Sequence, residues 1–246
     1  MYIRTSTSLR RLCDQARAEG LLALDVEFIR ERSYIPKLAL IQIAVSDTCA
    51  IVDPLAVQDL SPLFELVTSP QPLKVLHAAG QDMDVLYWQT GKPPAGIFDT
   101  QIAAAIVGLG EQLSYSNLVE RLLGVSLTKS QSYSDWLQRP LSPEQLEYAL
   151  NDARYLLGLH KRLSRRLHSM GRTAWAEEEC SKFNLLERYQ REPHTLFYRI
   201  RGGASLSPQG QAILYELAVW RDREAHELDC PPGSVIHDDP LVQIAR

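Results

Sequence analysis

The sequence predicts an α/β protein: a mixed five-stranded sheet flanked by helices, followed by a small helical tail. Three observations carry this. Apolar runs bounded by turn residues crowd residues 21–100 and read as strands. From about Gln101 to about residue 190 the apolar spacing is helical, interrupted near Gly110, Gly124, Pro140 and Gly171. A Gly202-Gly203 linker then precedes a further amphipathic stretch. Strands first and helices after them indicate helices laid on a sheet. The expected division is a main domain over 1–200 and a helical segment over 201–246.

Ser8 is a candidate cap for a first helix, with Leu9, Leu12, Cys13 and Ala16 as its apolar stripe and Gly20 as its stop. Residues 21–28 form an apolar run that reads as a buried strand, interrupted by Asp25 and Glu27. Pro36 marks a turn. Residues 38–45 and 48–52 read as the second and third strands, close enough in sequence for an antiparallel meander. Ser61-Pro62 opens a short helix through Leu66, and residues 73–77 are a fourth strand. A helix begins at Gly80 with Asp82 in its first turn, where the helix dipole favours a carboxylate. Residues 97–100 are a fifth strand running into the helix near Gln101. Ser142, Pro143 and Gln145 then fit the cap, first and third positions of another helix. Its apolar face is Leu146, Ala149, Leu150, Ala153, Leu156 and Leu157. Beyond the linker, Ile213, Leu214, Leu217, Ala218 and Trp220 outline a helix that Pro231-Pro232-Gly233 ends.

Composition excludes several classes. No apolar run approaches the ~20 residues of a membrane span. The N-terminus lacks a signal peptide's apolar core, so a cytoplasmic protein is expected. Cys13, Cys49, Cys180 and Cys230 are scattered without a C-x-x-C pair, against a zinc site or a disulfide framework. Net charge is −4 overall, but residues 1–152 carry −6, residues 153–201 carry +6 and residues 202–246 carry −4. An acidic front half with a basic helical stretch behind it can place metal beside a polyanion. A solvated basic helix face accounts for the charge equally well.

Residues i and i+2 of a strand point to one face, so Asp25 and Glu27 sit side by side on a core element. Such a pair is costly unless something positive accompanies it. The nearest basic residues, Arg30 and Arg32, follow the run. A hard divalent cation is the other way to offset two carboxylates; a polar face meeting water is the bland one. Tyr148 and Asp152 are i and i+4 on the helix after Pro143 and share a face. Asp152 also interrupts an apolar face between Ala149 and Leu156, although a single Y-x-x-x-D arises by chance.

Together the pieces are more specific. A D-x-E in the first strand, an acid after His77-Ala78-Ala79-Gly80-Gln81, and a late helical Tyr148-x-x-x-Asp152 resemble the DEDDy class of 3′–5′ exonucleases, and within it the ribonuclease D family. Residues 34–42, Phe98-Asp99-Thr100-Gln101 and residues 130–140 with Asp135-Trp136-Leu137 are also similar, so the likeness covers roughly residues 1–190. It implies a ribonuclease H-like fold and two Mg²⁺ or Mn²⁺ ions. Asp25 would bridge both, Glu27 and Asp152 would complete the first site, and Asp82 would support the second through water. Tyr148 would orient the attacking water, since a phenol of pKa ~10 is a poor base at neutral pH. The implied activity is release of 5′-mononucleotides from RNA 3′ ends in processing of tRNA precursors or other stable RNA, by a monomer with no membrane partner. Very short RNA or single-stranded DNA as substrate, or an inactive RNA-binding module, are the competing readings. Phe28, Tyr34, His77 and Trp136 are candidates for gripping a single strand by stacking, ordinary packing being the alternative for each. Asp99 reads as a structural acid and Asp84 as a surface one. Lys161, Arg162, Arg165 and Arg166 are candidates for phosphate contacts. Residues 217–225, followed by Pro231-Pro232, resemble the first part of an HRDC domain. A full module needs about twice the residues present, so the tail is expected as a partial segment, vestigial or a fragment.

Overall fold

The computed structural model describes residues 1–127, 135–190, 193–198 and 200–246. Two compact units emerge: Met1–Phe28 with Leu38–Leu185, and Ile29–Lys37 with Leu186–Arg246. The expected division after residue 200 differs from this by residues 186–200 and by the 29–37 segment.

The first unit is built on a six-stranded sheet. Its strands are β1 (Tyr2–Ile3), β2 (Leu21–Ile29), β3 (Lys37–Val45), β4 (Thr48–Val52), β5 (Leu73–Leu76) and β6 (Ile97–Asp99), in the order β1-β4-β3-β2-β5-β6. The five expected strands are present, and β1 is the addition. It is two residues long and lies parallel to β4, with Tyr2 opposite Ile51; a segment that short carries no period-2 pattern to read. The sheet is mixed as expected: β3 and β4 are antiparallel, while β5 is parallel to both β2 and β6. β2 lies inside the sheet between β3 and β5.

Helices α1 (Ser6–Glu19), α2 (Ser61–Thr68), α3 (Gly80–Thr90), α4 (Thr100–Ile106), α5 (Tyr115–Leu123), α6 (Pro143–Arg154), α7 (Leu156–Ser169) and α8 (Thr173–Ser181) complete this unit. The cap of α1 is Thr5, whose hydroxyl accepts from the Ser8 N–H, three residues ahead of the expected cap. Gly20 closes it in the left-handed region, as its position suggested. The start of α6 is a full capping box, Ser142 and Gln145 exchanging bonds of 3.2 and 2.8 Å. One core cluster joins Ala23, Ala44 and Val75 of the sheet to Ala103, Leu118, Ala153, Leu156 and Leu159. Another joins Leu40 and Ile51 to Trp136 and Ala149. α6 thus packs its small residues on the sheet, which lets its polar residues approach β2.

The second unit contains α9 (Pro193–Tyr198), α10 (Pro208–Glu227), α11 (Pro232–Val235) and α12 (Asp238–Ile244). Ile200, Leu206, Leu214, Ala218, Leu241 and Val242 form its core. Residues 29–37 join it through Tyr34, whose hydroxyl donates to Asp222 at 2.8 Å and whose backbone N–H donates to Asp229 at 3.1 Å. No helix among the described residues is long and apolar enough to cross a membrane.

Candidate active site

β2 presents Asp25 and Glu27 on one face because strand side chains alternate. α6 presents Tyr148 and Asp152 one turn apart. One carboxylate oxygen from each of Asp25, Glu27 and Asp152 lies within 4.8 Å of the others. Asp82, in the first turn of α3, is buried and close enough for the charges of Asp25, Glu27 and Asp152 to act on it. The four acids that the resemblance pointed to therefore come from three elements to one place.

Burial and mutual repulsion dominate the electrostatics of these acids. Burial pushes Asp25 up to about 7. Burial, then the charges of Asp25 and Asp152, push Glu27 up to about 9. Burial and Asp25 push Asp152 up to about 8, against a lowering bond from the Tyr148 hydroxyl. Asp82 is raised well above its ordinary value, by burial first and then by its carboxylate neighbours. Among the described residues, no basic side chain figures in the influences on these four acids. Four partly or fully buried carboxylates without a cation are a poor structural solution and a good hard-cation ligand set. The donor chemistry fits divalent metal. Tyr148 is itself raised, by burial first and then by Asp152, so its O–H stays protonated and donates.

The turn into α3 is held by Asp99. Its carboxylate accepts from the N–H groups of Ala78 at 3.1 Å and Ala79 at 2.8 Å, and from Gln101 at 2.7 Å in the first turn of α4. That supports Ala78 at φ +53°, a backbone region that disfavours side chains, and sets the height at which Asp82 enters the site. Asp99 is thus the structural acid the sequence suggested.

The expected stacking residues divide. Phe28 is half-buried at the end of β2 beside Glu27. His77 directly follows β5, ahead of α3; its Nδ1 lies 2.9 Å from Thr100 Oγ1, and burial lowers its pKa. Two are placed otherwise. Trp136 is 2% exposed, packs against Tyr148 at 5.9 Å and has no open face for a base. Tyr34 is 6% exposed in the second unit, its ring edge-on to His226 at 5.1 Å. An aromatic side chain near a motif reads the same in sequence whether it packs or stacks. Of the similar stretch 130–140, residues 130–134 lie outside the described residues.

Sequence reasoning missed Arg139. Its guanidinium grips Asp53 with two bonds, Nη2 to Oδ1 at 2.8 Å and Nε to Oδ2 at 2.9 Å. It also donates to the Trp136 carbonyl at 2.7 Å and the Ala39 carbonyl at 2.8 Å. Arg139 therefore ties the segment bearing Trp136 to the sheet, behind Tyr148. No local pattern announces a partner 86 positions away.

A family model described as 3′–5′ exonuclease matches residues 1–168, and an HRDC domain model matches residues 210–246. A ribonuclease D of Sphingobium indicum is 40% identical over 245 residues, covering 99% of this chain and 63% of that protein. The chain thus spans about 63% of the length of the first curated relatives it matches. The crystal structure of Escherichia coli RNase D, an exoribonuclease involved in structured RNA processing, superposes with a TM-score of 0.91 at 36% identity over 100% of this chain and 66% of that one. The catalytic core of RRP6 from Trypanosoma brucei superposes with a TM-score of 0.74 at 26% identity, over 99% and 69%.

Proposed function

The chain belongs to the 3′–5′ exonuclease family, and from that premise we propose that it is a divalent-metal-dependent 3′–5′ exoribonuclease. It hydrolyses the terminal phosphodiester of RNA with a free 3′ end and releases 5′-mononucleotides, with tRNA precursors and other stable RNAs as substrates. It works as a cytoplasmic monomer. The observation that carries this reading is the convergence of Asp25, Glu27 and Asp152 beside buried Asp82, with no basic partner among the described residues.

Asp25, Glu27 and Asp152 would hold one Mg²⁺ or Mn²⁺, and Asp25 with Asp82 would hold a second. When bound, such a pair supplies Lewis acidity at the attacking water and at the leaving oxygen. Each side chain then has a defined task. The carboxylates of β2, α3 and α6 would hold the cations, whose charge offsets that of the incoming phosphate. The Tyr148 hydroxyl, braced by Trp136 and with its one proton donated to Asp152, orients the attacking water through its oxygen; kept protonated, it is not the base. By the family resemblance, Phe28 and His77 would stack the terminal nucleotide.

The test is incubation of purified protein with 5′-labelled single-stranded RNA and Mg²⁺ or Mn²⁺. Parallel arms hold EDTA, a 3′-phosphate-blocked RNA, matched DNA and the Asp25→Ala variant. A ladder shrinking from the 3′ end, lost with EDTA and in the variant, is expected. RNA left intact under every metal condition while tight binding persists would leave an RNA-binding module instead.

A further inference from the structure

Among the described residues, the buried polar side-chain atoms without a hydrogen-bond partner are Gln42 Nε2, Gln42 Oε1 and His77 Nε2. Gln42 lies in β3 and is fully buried. An amide with neither end satisfied in an apolar interior is strongly unfavourable, and an apolar side chain of the same shape would be the stable choice. Its presence calls for a partner, and the fold says where that partner lies.

Gln42 pairs with Ile51 across the β3–β4 ladder, and paired residues share a sheet face. Ile51 packs with Leu40, Trp136 and Ala149. Leu40 precedes Gln42 by two positions; Ala44 follows by two and packs with Ala23 and Ala153. Residues at i−2, i and i+2 line one face. The Gln42 amide therefore lies under α6 between Ala149 and Ala153, the turn that carries Asp152. On the neighbouring strand β2, Ala23 shares this face, and so do Asp25 and Glu27 by alternation. The register on the other side of β2 pairs Leu21 with Leu73 and Ala23 with Val75. Continued two residues, it sets His77 level with Asp25. The two side chains with orphaned atoms thus flank β2 on the face that bears the acids.

We propose that Gln42 is a positioning residue for the acidic cluster. A buried water accepts from Gln42 Nε2 and donates to a carboxylate oxygen of Asp25 or Asp152, fixing α6 over β2 so that the acids converge on a divalent cation. Such a water has the two or more polar partners that buried waters need. Partners behind the ligands orient them and tune metal affinity. The inference rests on the reading of the cluster as a metal site.

Gln42→Met and Gln42→Leu keep the volume and remove the amide. Thermal melting without metal, thermal shift against Mg²⁺ concentration and steady-state hydrolysis of labelled RNA would be compared with wild type. The metal-free melting temperature is expected to be equal or higher in the variants. Their apparent Mg²⁺ dissociation constant is expected to rise by about ten- to a hundredfold, with kcat lowered and KM held. Variants matching wild type in Mg²⁺ affinity and kcat would overturn the positioning role while leaving the metal site standing. A wild type that gains no thermal stability from Mg²⁺ would overturn the metal site and the inference together. A high-resolution structure of the wild type serves even if both variants misfold: a water bridging Nε2 to a carboxylate is expected, and an amide bonded only to backbone sinks the proposal.

Discussion

Asp152 shows how a single side chain carries opposite consequences for stability and chemistry. Its carboxylate is held among like charges, so Asp152→Asn should relieve repulsion in the metal-free protein. At about pH 8 the gain is on the order of 2 kcal/mol, measured by urea unfolding in EDTA. On the proposed reading the same change removes a metal ligand and should lower kcat/KM by roughly a thousandfold. A variant no more stable than wild type without metal would show that the cluster is already neutral. The pH dependence follows from the same groups. Asp25 near 7, Asp152 near 8 and Glu27 near 9 keep protons in the folded state that the unfolded chain, with carboxyls near ~4, has released. From about pH 4 to about pH 9 rising pH therefore works against the metal-free fold. Cation binding needs the ionised acids, so its stabilising effect grows over that window. The rise in Tm on adding saturating Mg²⁺ should be larger at about pH 9 than at about pH 6. Buried Lys74, pushed down to about 7, favours the fold as pH rises, but it does so with and without metal and cancels in the difference. A difference that shrinks with pH would contradict the assignment. Most of this cluster was legible in the sequence, because the strand's period of two and the helix's i+4 spacing are local rules that fix which side chains share a face. Gln42 was not legible: within an apolar strand it reads as one polar interruption, and only the packing of α6 shows that nothing among the described residues satisfies it.

At the level of elements, the site depends on how α6 and the 135–140 segment are fastened to the sheet. Asp53, at the end of β4, is almost fully buried. Burial alone would raise its pKa, yet the bonds from Arg139 and Tyr2 hold it below its ordinary value. Removing the cation strands that charge. Arg139→Met is expected to cost about 2–3 kcal/mol of stability, towards or below the lower range for a broken buried pair because the guanidinium is partly solvated. The same variant frees Trp136 from its carbonyl anchor and loosens the support of Tyr148, so kcat should fall while the Mg²⁺-induced rise in Tm persists. Equal losses of metal response and kcat would instead place Arg139 in support of the carboxylates. This fastening escaped sequence reading for the same reason that β1 did. Arg139–Asp53 and Tyr2–Ile51 both join positions far apart in the chain, and neither leaves a periodic trace. The element starts that were legible, Ser142 with Gln145 and Gly20, are those whose bonds close within a few residues.

For the whole molecule, the uneven charge along the chain has a spatial counterpart in the first unit. Lys161, Arg162, Arg165 and Arg166 are exposed on α7, while Leu159, Leu163 and Leu167 of the same helix are buried. Spacings of one and four residues keep the four cations on one outward face. If the carboxylate cluster is the catalytic site, it repels a phosphate chain in the absence of metal, so binding of the RNA body needs positive charge elsewhere. If α7 supplies it, affinity for single-stranded RNA should fall steeply with salt. Replacing all four residues with Gln should then reduce the slope of log K against log salt by up to about 3, at ~0.7 per phosphate contact on a single strand. Because these side chains would act on the body of the substrate and not on its end, hydrolysis of a very short oligonucleotide should be unchanged. The two measurements separate the readings of that basic face. A lower salt slope with intact cleavage of short substrates assigns it to RNA, and a slope equal to that of wild type returns it to the role of a solvated helix surface.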